Sequence, residues 1–458
     1  MEKLSKFVSE HISDDVTRLV LDRKKWPDID MDLAVACIES RRKLKGKVQE
    51  WYDNPDLVFP FKLSAEQCSS SATGSYKAAL AERIADEISG NVSDIKSGWR
   101  IADLTGGLGV DSWFFSQKAG QVLYNEMQKP LCLAAEHNFR ILEAGNISVS
   151  NHAVVAAASD ISEVTAISPT ALLKDFRPDI VYMDPARRGE GGKKVFLIEE
   201  CTPDVLTLKE EIFSLSRHML IKLSPMADIT MACGRLGSCC REVHVVASGG
   251  ECKELLIWMD REWQGEYETI AVELNNDGSA ATFRFRPSEE RSSGSNIISR
   301  EQITETGIIF EPGKALMKAG AFNTIAERFG IGKLAQSTHY YICNDPKKTE
   351  ELKKHGKLFR ILDCQPLDKR SIRQAGKTYP HAEVTARNIP LDTDTLRKKL
   401  GVSSGNDIHI FGLKADSIGN LLFVTTRILC PMGDKTLTIN TLNDKPAIQR
   451  RQAYRLNS

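Results

Sequence analysis

Short apolar runs alternate with amphipathic stretches between residues 99 and 260. The strand-like runs are Arg100–Leu104, Val122–Tyr124, Val154–Ala158, Ile180–Met183, Met219–Leu223, Val243–Ala247 and Leu255–Met259. Stretches of helical character separate them, notably Asp111–Gln117, Pro130–Glu143 and Asp204–Arg217. This alternation is typical of an α/β fold with a parallel sheet covered on both faces. The link 248–253 is too short for a helical crossover, so we predict that the last two of the seven strands form an antiparallel hairpin.

The regions on either side of this alternation have a different character. Residues 1–95 carry apolar side chains at helical spacing and predict a helical N-terminal region. Composition shifts after residue 265, and residues 266–365 predict a small α/β domain. A further small domain is expected over 366–458. With a central domain over 96–265, this gives four regions in a chain of 458 residues.

Charge and cysteine content narrow the functional classes. The 61 basic and 61 acidic residues cancel, so any basic surface must be local. Residues 366–400 have such an excess, with eight basic against four acidic residues. The run 41–47 holds five basic residues, which is typical of a solvated helix end or of a nucleic-acid contact. The eleven cysteines lack metal-ligand spacing, and no apolar run is long enough to span a membrane. We expect a soluble cytoplasmic protein without a metal site.

A glycine-rich turn follows the first predicted strand. Gly106, Gly107 and Gly109 allow positive φ angles and a close approach of a ligand to the backbone. By itself such a turn fits a dinucleotide, a phosphate or a methyl donor. A dinucleotide motif would place glycine where Ser112 stands, and no G-K-[ST] of a phosphate-binding loop follows.

Acidic residues at the ends of successive strands favour one of these ligands. Asp103 precedes the glycines, Glu126 follows the second strand, and Asp160 follows the third. A carboxylate after the second strand is suited to the two hydroxyls of a ribose. Asp103 could meet an ammonium group. S-adenosylmethionine combines a cationic amino-acid end, a ribose and an adenine, and it therefore fits this set of acids.

The stretch 64–77 is rich in hydroxyl and small polar side chains. It leads into a helix that begins near Tyr76. Serine and threonine are common at helix N-termini because they satisfy free backbone amides. The number of such side chains exceeds what one cap requires, so a ligand-facing role is the alternative to a capping role.

These residues resemble a known family. Asp103-Leu-Thr-Gly-Gly-Leu-Gly109 resembles motif I of class I S-adenosylmethionine-dependent methyltransferases, and Glu126, Asp160 and Asp184-Pro-Ala-Arg187 match the positions of motifs II, III and IV. The whole chain from about residue 50 resembles a bacterial group of methyltransferases with a THUMP-like domain. The blocks that carry this resemblance are Glu66–Thr73, Asp184–Arg188, Glu251–Glu254, Glu311–Gly320 and Thr385–Leu391 with Leu396–Leu400.

The resemblance implies a seven-stranded methyltransferase sheet of order 3-2-1-4-5-7-6, followed by ferredoxin-like and THUMP-like domains. It also implies S-adenosyl-L-methionine as the methyl donor, with the 66–75 block closing over it. The candidate donor-binding residues are Gln67, Thr73, Asp103, Thr105, Gly106, Gly107, Gly109, Asp111, Glu126, Met127, Asp160 and Asp184.

Asp184, Pro185 and Arg187 are the candidate catalytic residues. A carboxylate beside a rigid proline could orient an amino group toward the methyl donor. Adenine-N6 enzymes place an aromatic residue shortly after this motif, whereas this chain has Ala186 and Arg187. Cysteine is absent from the ends of the fourth and fifth strands, which disfavours C5-pyrimidine methylation.

The sequence favours methylation of a base nitrogen in RNA. Domains named THUMP occur in RNA-modifying enzymes, and the basic excess at 366–400 fits phosphate contacts. The candidate RNA contacts are Lys369, Arg370, Arg373, Arg387, Arg397, Lys398 and Lys399. The alternatives are a non-catalytic RNA-binding protein that keeps the fold and a small-molecule methyltransferase.

Overall fold

The N-terminal region of the computed structural model is helical. The structure describes residues 2–89, 98–156, 166–186, 198–275, 278–304, 307–405 and 407–428. Its first helices are α1 (Glu2–Glu10), α2 (Val16–Leu21), α3 (Met31–Leu44), α4 (Gln49–Asp53), α5 (Lys62–Gln67) and α6 (Ser71–Ser89). Aspartates start two of them, because Asp15 accepts a hydrogen bond from Thr17 N and Asp30 accepts one from Leu33 N.

A nine-stranded sheet forms the centre of the molecule. Its strands, with a separate short pair, are β1 (Arg100–Asp103), β2 (Gln121–Asn125), β3 (Ile147–Ser150), β4 (Ala153–Val154), β5 (Ala166–Ile167), β6 (Ile180–Met183), β7 (His218–Leu223), β8 (Cys240–Ser248), β9 (Glu251–Asp260), β10 (Glu268–Leu274) and β11 (Ala280–Phe285). The helices between them are α7 (Val110–Ser116), α8 (Lys129–Ile141), α9 (Pro169–Leu173), α10 (Val205–Leu215) and α11 (Ile229–Leu236). The strand order is β11-β10-β8-β9-β7-β6-β1-β2-β3.

This order confirms the predicted arrangement of the sheet and corrects its size. The segment β3-β2-β1-β6-β7-β9-β8 has the predicted order, and β9 runs antiparallel to both β7 and β8. The prediction of seven strands was wrong, because β10 pairs in parallel with β8 and β11 pairs antiparallel with β10. The sheet therefore continues past residue 265. The polar composition of the following loop hid these two strands in the sequence.

The strand beside β2 also differs from the sequence interpretation. The apolar run at Val154 was expected to supply it, but β3 pairs with β2 instead. Val154 belongs to the separate pair of β4 and β5. Ile147 and Val149 alternate with serines in β3, which is the pattern of an edge strand that is covered on one face only.

The C-terminal part forms a second sheet. Its elements are α12 (Pro287–Ser292), β12 (Ile308–Pro312), α13 (Lys314–Ala319), α14 (Phe322–Phe329), β13 (Gly332–Lys333), β14 (Tyr341–Cys343), α15 (Thr349–Lys353), β15 (Gly356–Pro366), α16 (Lys369–Thr378), β16 (Glu383–Arg387), α17 (Thr393–Leu400), β17 (Ile408–Ala415) and β18 (Gly419–Arg427). The order β13-β14-β12-β15-β18-β17-β16 is continuous, so one sheet joins the two predicted small domains. Among the described helices, none combines the length and the apolar character that crossing a membrane would need.

The two faces of the nine-stranded sheet have separate cores. Val246, Leu256 and Trp258 pack with apolar residues of α6 and α7 on one face. On the other face, the core of α10 and α11 is continuous with that of the second sheet through Phe310 and Leu316. Lys318 of α13 also donates a 2.7 Å hydrogen bond to Ala227 O, in the loop after β7. The second sheet is therefore packed directly against the main sheet.

Candidate functional site

Three neighbouring parallel strands end at the same edge of the main sheet. β1 lies between β2 and β6, with Asp103 in register with Tyr124 on one side and Tyr182 on the other. The loops that follow these strands therefore meet. They contain the glycine turn, Glu126 and Asp184, so the structure brings together the ends predicted from sequence.

The glycine turn is held tightly against β2. Gly107 and Gly109 have φ angles of 53° and 92°, which favour glycine. A Cβ at Gly106 would lie 2.1 Å from a ring carbon of Tyr124, so only glycine fits there. The Tyr124 hydroxyl donates a 2.6 Å hydrogen bond to Gly107 O, and Gly106 N donates one of 2.8 Å to Asn125 O. The turn thus has a fixed shape.

Asp103, the last residue of β1, stabilises this turn with two hydrogen bonds. Its Oδ1 accepts a 3.0 Å hydrogen bond from Thr105 N, and its Oδ2 accepts one of 2.7 Å from Ser112 Oγ at the start of α7. The carboxyl group is almost fully buried. Burial raises its pKa to about 7, although both hydrogen bonds act in the opposite direction.

Glu126 lies at the end of β2 and bonds to the same turn. Its Oε2 accepts a 2.9 Å hydrogen bond from Gly107 N, and its Oε1 accepts one of 2.7 Å from Gln128 N. Burial raises the pKa of this carboxyl group, while the backbone amides oppose the rise. Each carboxylate oxygen has a second lone pair, so Glu126 can accept further hydrogen bonds from a ligand.

Asp184 connects β1, β6 and β7. Its backbone amide donates a 2.6 Å hydrogen bond to Thr105 Oγ1 of the glycine turn. Its Oδ2 accepts a hydrogen bond from Lys222 Nζ, and the two side chains form an ion pair. Burial alone would lower the pKa of Lys222, but the carboxylates of Asp184, Asp111 and Glu254 raise it overall.

A buried charged cluster lies next to this pair. Lys77 Nζ, with no solvent exposure, donates hydrogen bonds of 2.9 and 3.1 Å to the two oxygens of Glu254 and lies 3.3 Å from Asp111 Oδ1. Asp111 Oδ2 accepts from Ser69 Oγ at 3.0 Å and from Tyr182 OH at 2.8 Å. Burial would raise the pKa of Asp111, but Lys77 and these partners lower it. The cluster fixes the start of α6 against α7 and the sheet.

The hydroxyl-rich stretch is in part a helix cap. Thr73 is buried, its Oγ1 accepts a 3.0 Å hydrogen bond from Ser70 N, and Ser70 Oγ accepts from Thr73 N. Gln67 is exposed at the end of α5. Ser69 belongs to the charged cluster described above. The stretch thus combines the capping role with a contact, through Ser69, to Asp111 at the start of α7.

Two predicted site residues, Asp160 and Arg187, lie outside the described residues. Met127 follows Glu126 and is 56% exposed, so it forms part of the surface next to the turn. Within the described ranges, no group of three His, Cys, Asp or Glu side chains is arranged to hold a metal ion.

Three charged residues of the site were not predicted individually from the sequence. These are Lys77, Lys222 and Glu254, whose side chains are largely buried and face one another across α6, β7 and β9. Lys222 interrupts the apolar run Met219–Leu223, and Glu254 directly precedes the apolar run Leu255–Met259. A charged residue in a buried strand requires a partner, so a charge beside or within an apolar run is the signal in the sequence that indicates a buried ion pair.

Comparisons with known proteins agree with this architecture. Residues 309–349 match a ferredoxin-like domain family, and residues 356–427 match a THUMP domain-like family. These two matches, with the similarity to a solved structure given next, confirm the resemblance predicted from the sequence. A crystal structure of a candidate methyltransferase from Porphyromonas gingivalis W83 is similar to this chain with 28% identity and a TM-score of 0.77, covering 93% of this chain and 98% of that chain.

Other solved structures are similar to a smaller part of this chain. A candidate RNA methyltransferase from Pyrococcus horikoshii has 18% identity and a TM-score of 0.23, covering 41% of this chain and 73% of that chain. A candidate methyltransferase from Streptococcus mutans in complex with SAH has 10% identity and a TM-score of 0.26, covering 40% and 96%. Neither likeness is close enough to support an argument about function. No curated protein sequence matches this chain.

Proposed function

We propose that the protein is an S-adenosylmethionine-dependent methyltransferase that methylates a base nitrogen in RNA. The observation that carries this proposal is the meeting of three strand ends. There the glycine turn, the Glu126 carboxylate and the Asp184 carboxylate lie at one edge of the sheet. The similarity to the Porphyromonas protein over nearly the whole chain supports the same class of activity.

The chemistry of the turn fits the donor. Gly106 and Gly107 are only half-buried, so part of their backbone is open to a ligand. Glu126 can accept hydrogen bonds from two ribose hydroxyls in addition to those it already accepts. Asp103 is buried and accepts from Thr105 N and Ser112 Oγ, so it contributes to donor binding by fixing the shape of the turn. The donor, when bound, supplies a methyl group on a positively charged sulfur.

On the side of the site where the methyl-accepting substrate would bind, the protein offers oxygen atoms that can accept hydrogen bonds. Asp184 N already donates to Thr105, Pro185 has no N–H, and Ala186 N donates a 2.7 Å hydrogen bond to Thr202 O. The amides of the segment 184–186 are thus engaged, as is Ala186 O, which accepts from Thr202 N, and the segment offers the Asp184 carboxylate and the carbonyl oxygens of residues 184 and 185. Such a surface is suited to an acceptor nitrogen that carries hydrogens.

The THUMP-like domain supports RNA as the substrate class. Lys369, Arg370 and Arg373 of α16 are exposed, as are Lys398 and Lys399 of α17. Asp368 and Asp392 cap these two helices, and Glu383 pairs with Arg397 at 3.5 Å. The exposed lysines and arginines of α16 and α17 provide a local basic surface, to which phosphate groups fit. Arg387 is exposed on β16, whereas Arg397 is held by its ion pair.

Donor binding tests the first part of the proposal. In titration calorimetry, the wild-type protein is expected to bind S-adenosylmethionine with a micromolar dissociation constant. Glu126→Ala should weaken binding about 10- to 100-fold, because each hydrogen bond to a charged group contributes roughly 1.5–3 kcal/mol. The matched control is Glu136→Ala, ten residues further on, where the glutamate is exposed on α8.

The control variant should bind the donor as the wild type does. Absence of heat with both the donor and its demethylated product in the wild type would disprove the proposal. Equal losses in the two variants would show that Glu126 does not contact the donor.

A further inference from the structure

Lys222 is a charged residue in a buried strand. Its neighbours in β7, Ile221 and Leu223, are buried, and the lysine side chain itself is 13% exposed. Asp184, its partner, is 38% exposed. The lysine therefore lies behind the carboxylate, and Asp184 is the member of the pair that reaches the solvent-facing edge of the site.

The other carboxylates near Lys222 are paired with Lys77, so Asp184 is the ion-pair partner of Lys222. Asp111 and Glu254 also face Lys222, but both contact Lys77. Lys47 lies on the same side, and its Nζ donates to the carbonyl oxygens of residues 65 and 66. Lys222 Nζ, in contrast, donates to Asp184 Oδ2. The two lysines of the cluster thus divide three carboxylates between them.

The orientation of Asp184 is fixed at two points. Lys222 holds Oδ2, and Thr105 Oγ1 holds the backbone amide. Within the described part of the chain, no donor reaches Oδ1. A carboxylate held in this way presents one defined oxygen to a substrate, and its side chain does not need to be ordered when the substrate binds.

We infer that Lys222 is a positioning residue for methyl transfer, which acts by holding Asp184. This inference rests on the proposed function. As the acceptor nitrogen forms its bond to the methyl carbon, the carbon–sulfur bond breaks and its electron pair stays on sulfur. The nitrogen becomes positively charged and loses a proton to Asp184 Oδ1, from which the proton passes to solvent. Lys222 touches neither reactant and keeps Oδ1 aimed at the nitrogen.

A double-mutant cycle tests this inference. Wild type, Lys222→Met, Asp184→Asn and the double variant are assayed for methyl transfer from labelled S-adenosylmethionine to RNA from a strain that lacks the gene. Lys222→Met should lower kcat about 100-fold with little change in KM, because a misdirected catalytic group costs about that factor. In the Asp184→Asn background, the same substitution should change kcat by less than about 3-fold. Lys222→Arg should recover most of the activity.

If the two substitutions lower kcat by independent factors that multiply in the double variant, Lys222 does not act through Asp184, and the inference is overturned. Melting curves and donor calorimetry report whether each variant is folded. If Lys222→Met does not fold, Lys222→Gln takes its place in the cycle with the same expectations. Wild-type protein that transfers no methyl group would overturn the proposed function, and the inference with it.

Discussion

Replacing Lys77 by methionine is expected to lower the free energy of unfolding by about 3–5 kcal/mol. Lys77 is fully buried, and its ammonium group contacts Glu254, Asp111 and Ser69. Methionine fills a similar volume but leaves two carboxylates buried without this cation. Such groups cost far more when a partner is removed than the intact pair contributes.

Lys118→Met is the matched control for this prediction. Lys118 also forms an ion pair with a glutamate, Glu82 of α6, at 3.1 Å, but its side chain is 46% exposed. Its removal should cost roughly 0–1 kcal/mol. Guanidinium unfolding of the three proteins measures both values, and equal losses would show that the buried cluster does not stabilise the fold.

The second large effect is a pH dependence of stability that comes from Asp103. Burial raises the pKa of this carboxyl group to about 7 in the folded protein, above its ordinary value of 3.8. The folded state therefore holds the proton more tightly than the unfolded state does. The contribution of Asp103 to stability is fully present below about pH 4 and is lost as the pH rises to 7.

Asp103→Asn isolates this contribution. An amide at this position can still accept from Thr105 N, and it does not titrate. The difference in unfolding free energy between the variant and the wild type should move in favour of the variant by up to about 4 kcal/mol from pH 4 to pH 7, since a tenfold change in proton affinity is about 1.4 kcal/mol. A difference that is constant with pH would contradict the burial of an ionisable group at this position.

Most of the sheet could be predicted from the sequence because its strands are short, apolar and separated by helices. The antiparallel hairpin of β8 and β9 followed from the length of one link. β10 and β11 were missed because they lie next to a polar loop, and β3 was missed because its alternating serines are those of an edge strand. Such strands form because of the strands they pair with, and local composition does not determine that pairing.

The residues of the candidate site could be selected from the sequence where backbone geometry determines the residue type. Gly106, Asp103 and Glu126 stand at strand ends, and a glycine turn between acids has few structural explanations. The partners of Lys77 and Lys222 could not be identified from the sequence, because each ion pair joins segments that lie far apart in the chain. In the basic run 41–47, a pattern that is also typical of a nucleic-acid contact has a structural role. Arg41, Arg42 and Lys47 donate hydrogen bonds to main-chain carbonyls of the N-terminal helices and their loops.

Transfer of a labelled methyl group to RNA tests the central claim most directly. The wild-type protein, S-adenosylmethionine and total RNA from a strain that lacks the gene are incubated, and the RNA is digested to nucleosides. We predict that label appears on a base nitrogen, that RNA from the parent strain accepts much less, and that Asp184→Ala abolishes the transfer. RNA that stays unlabelled while the wild-type protein binds the donor would contradict RNA methylation.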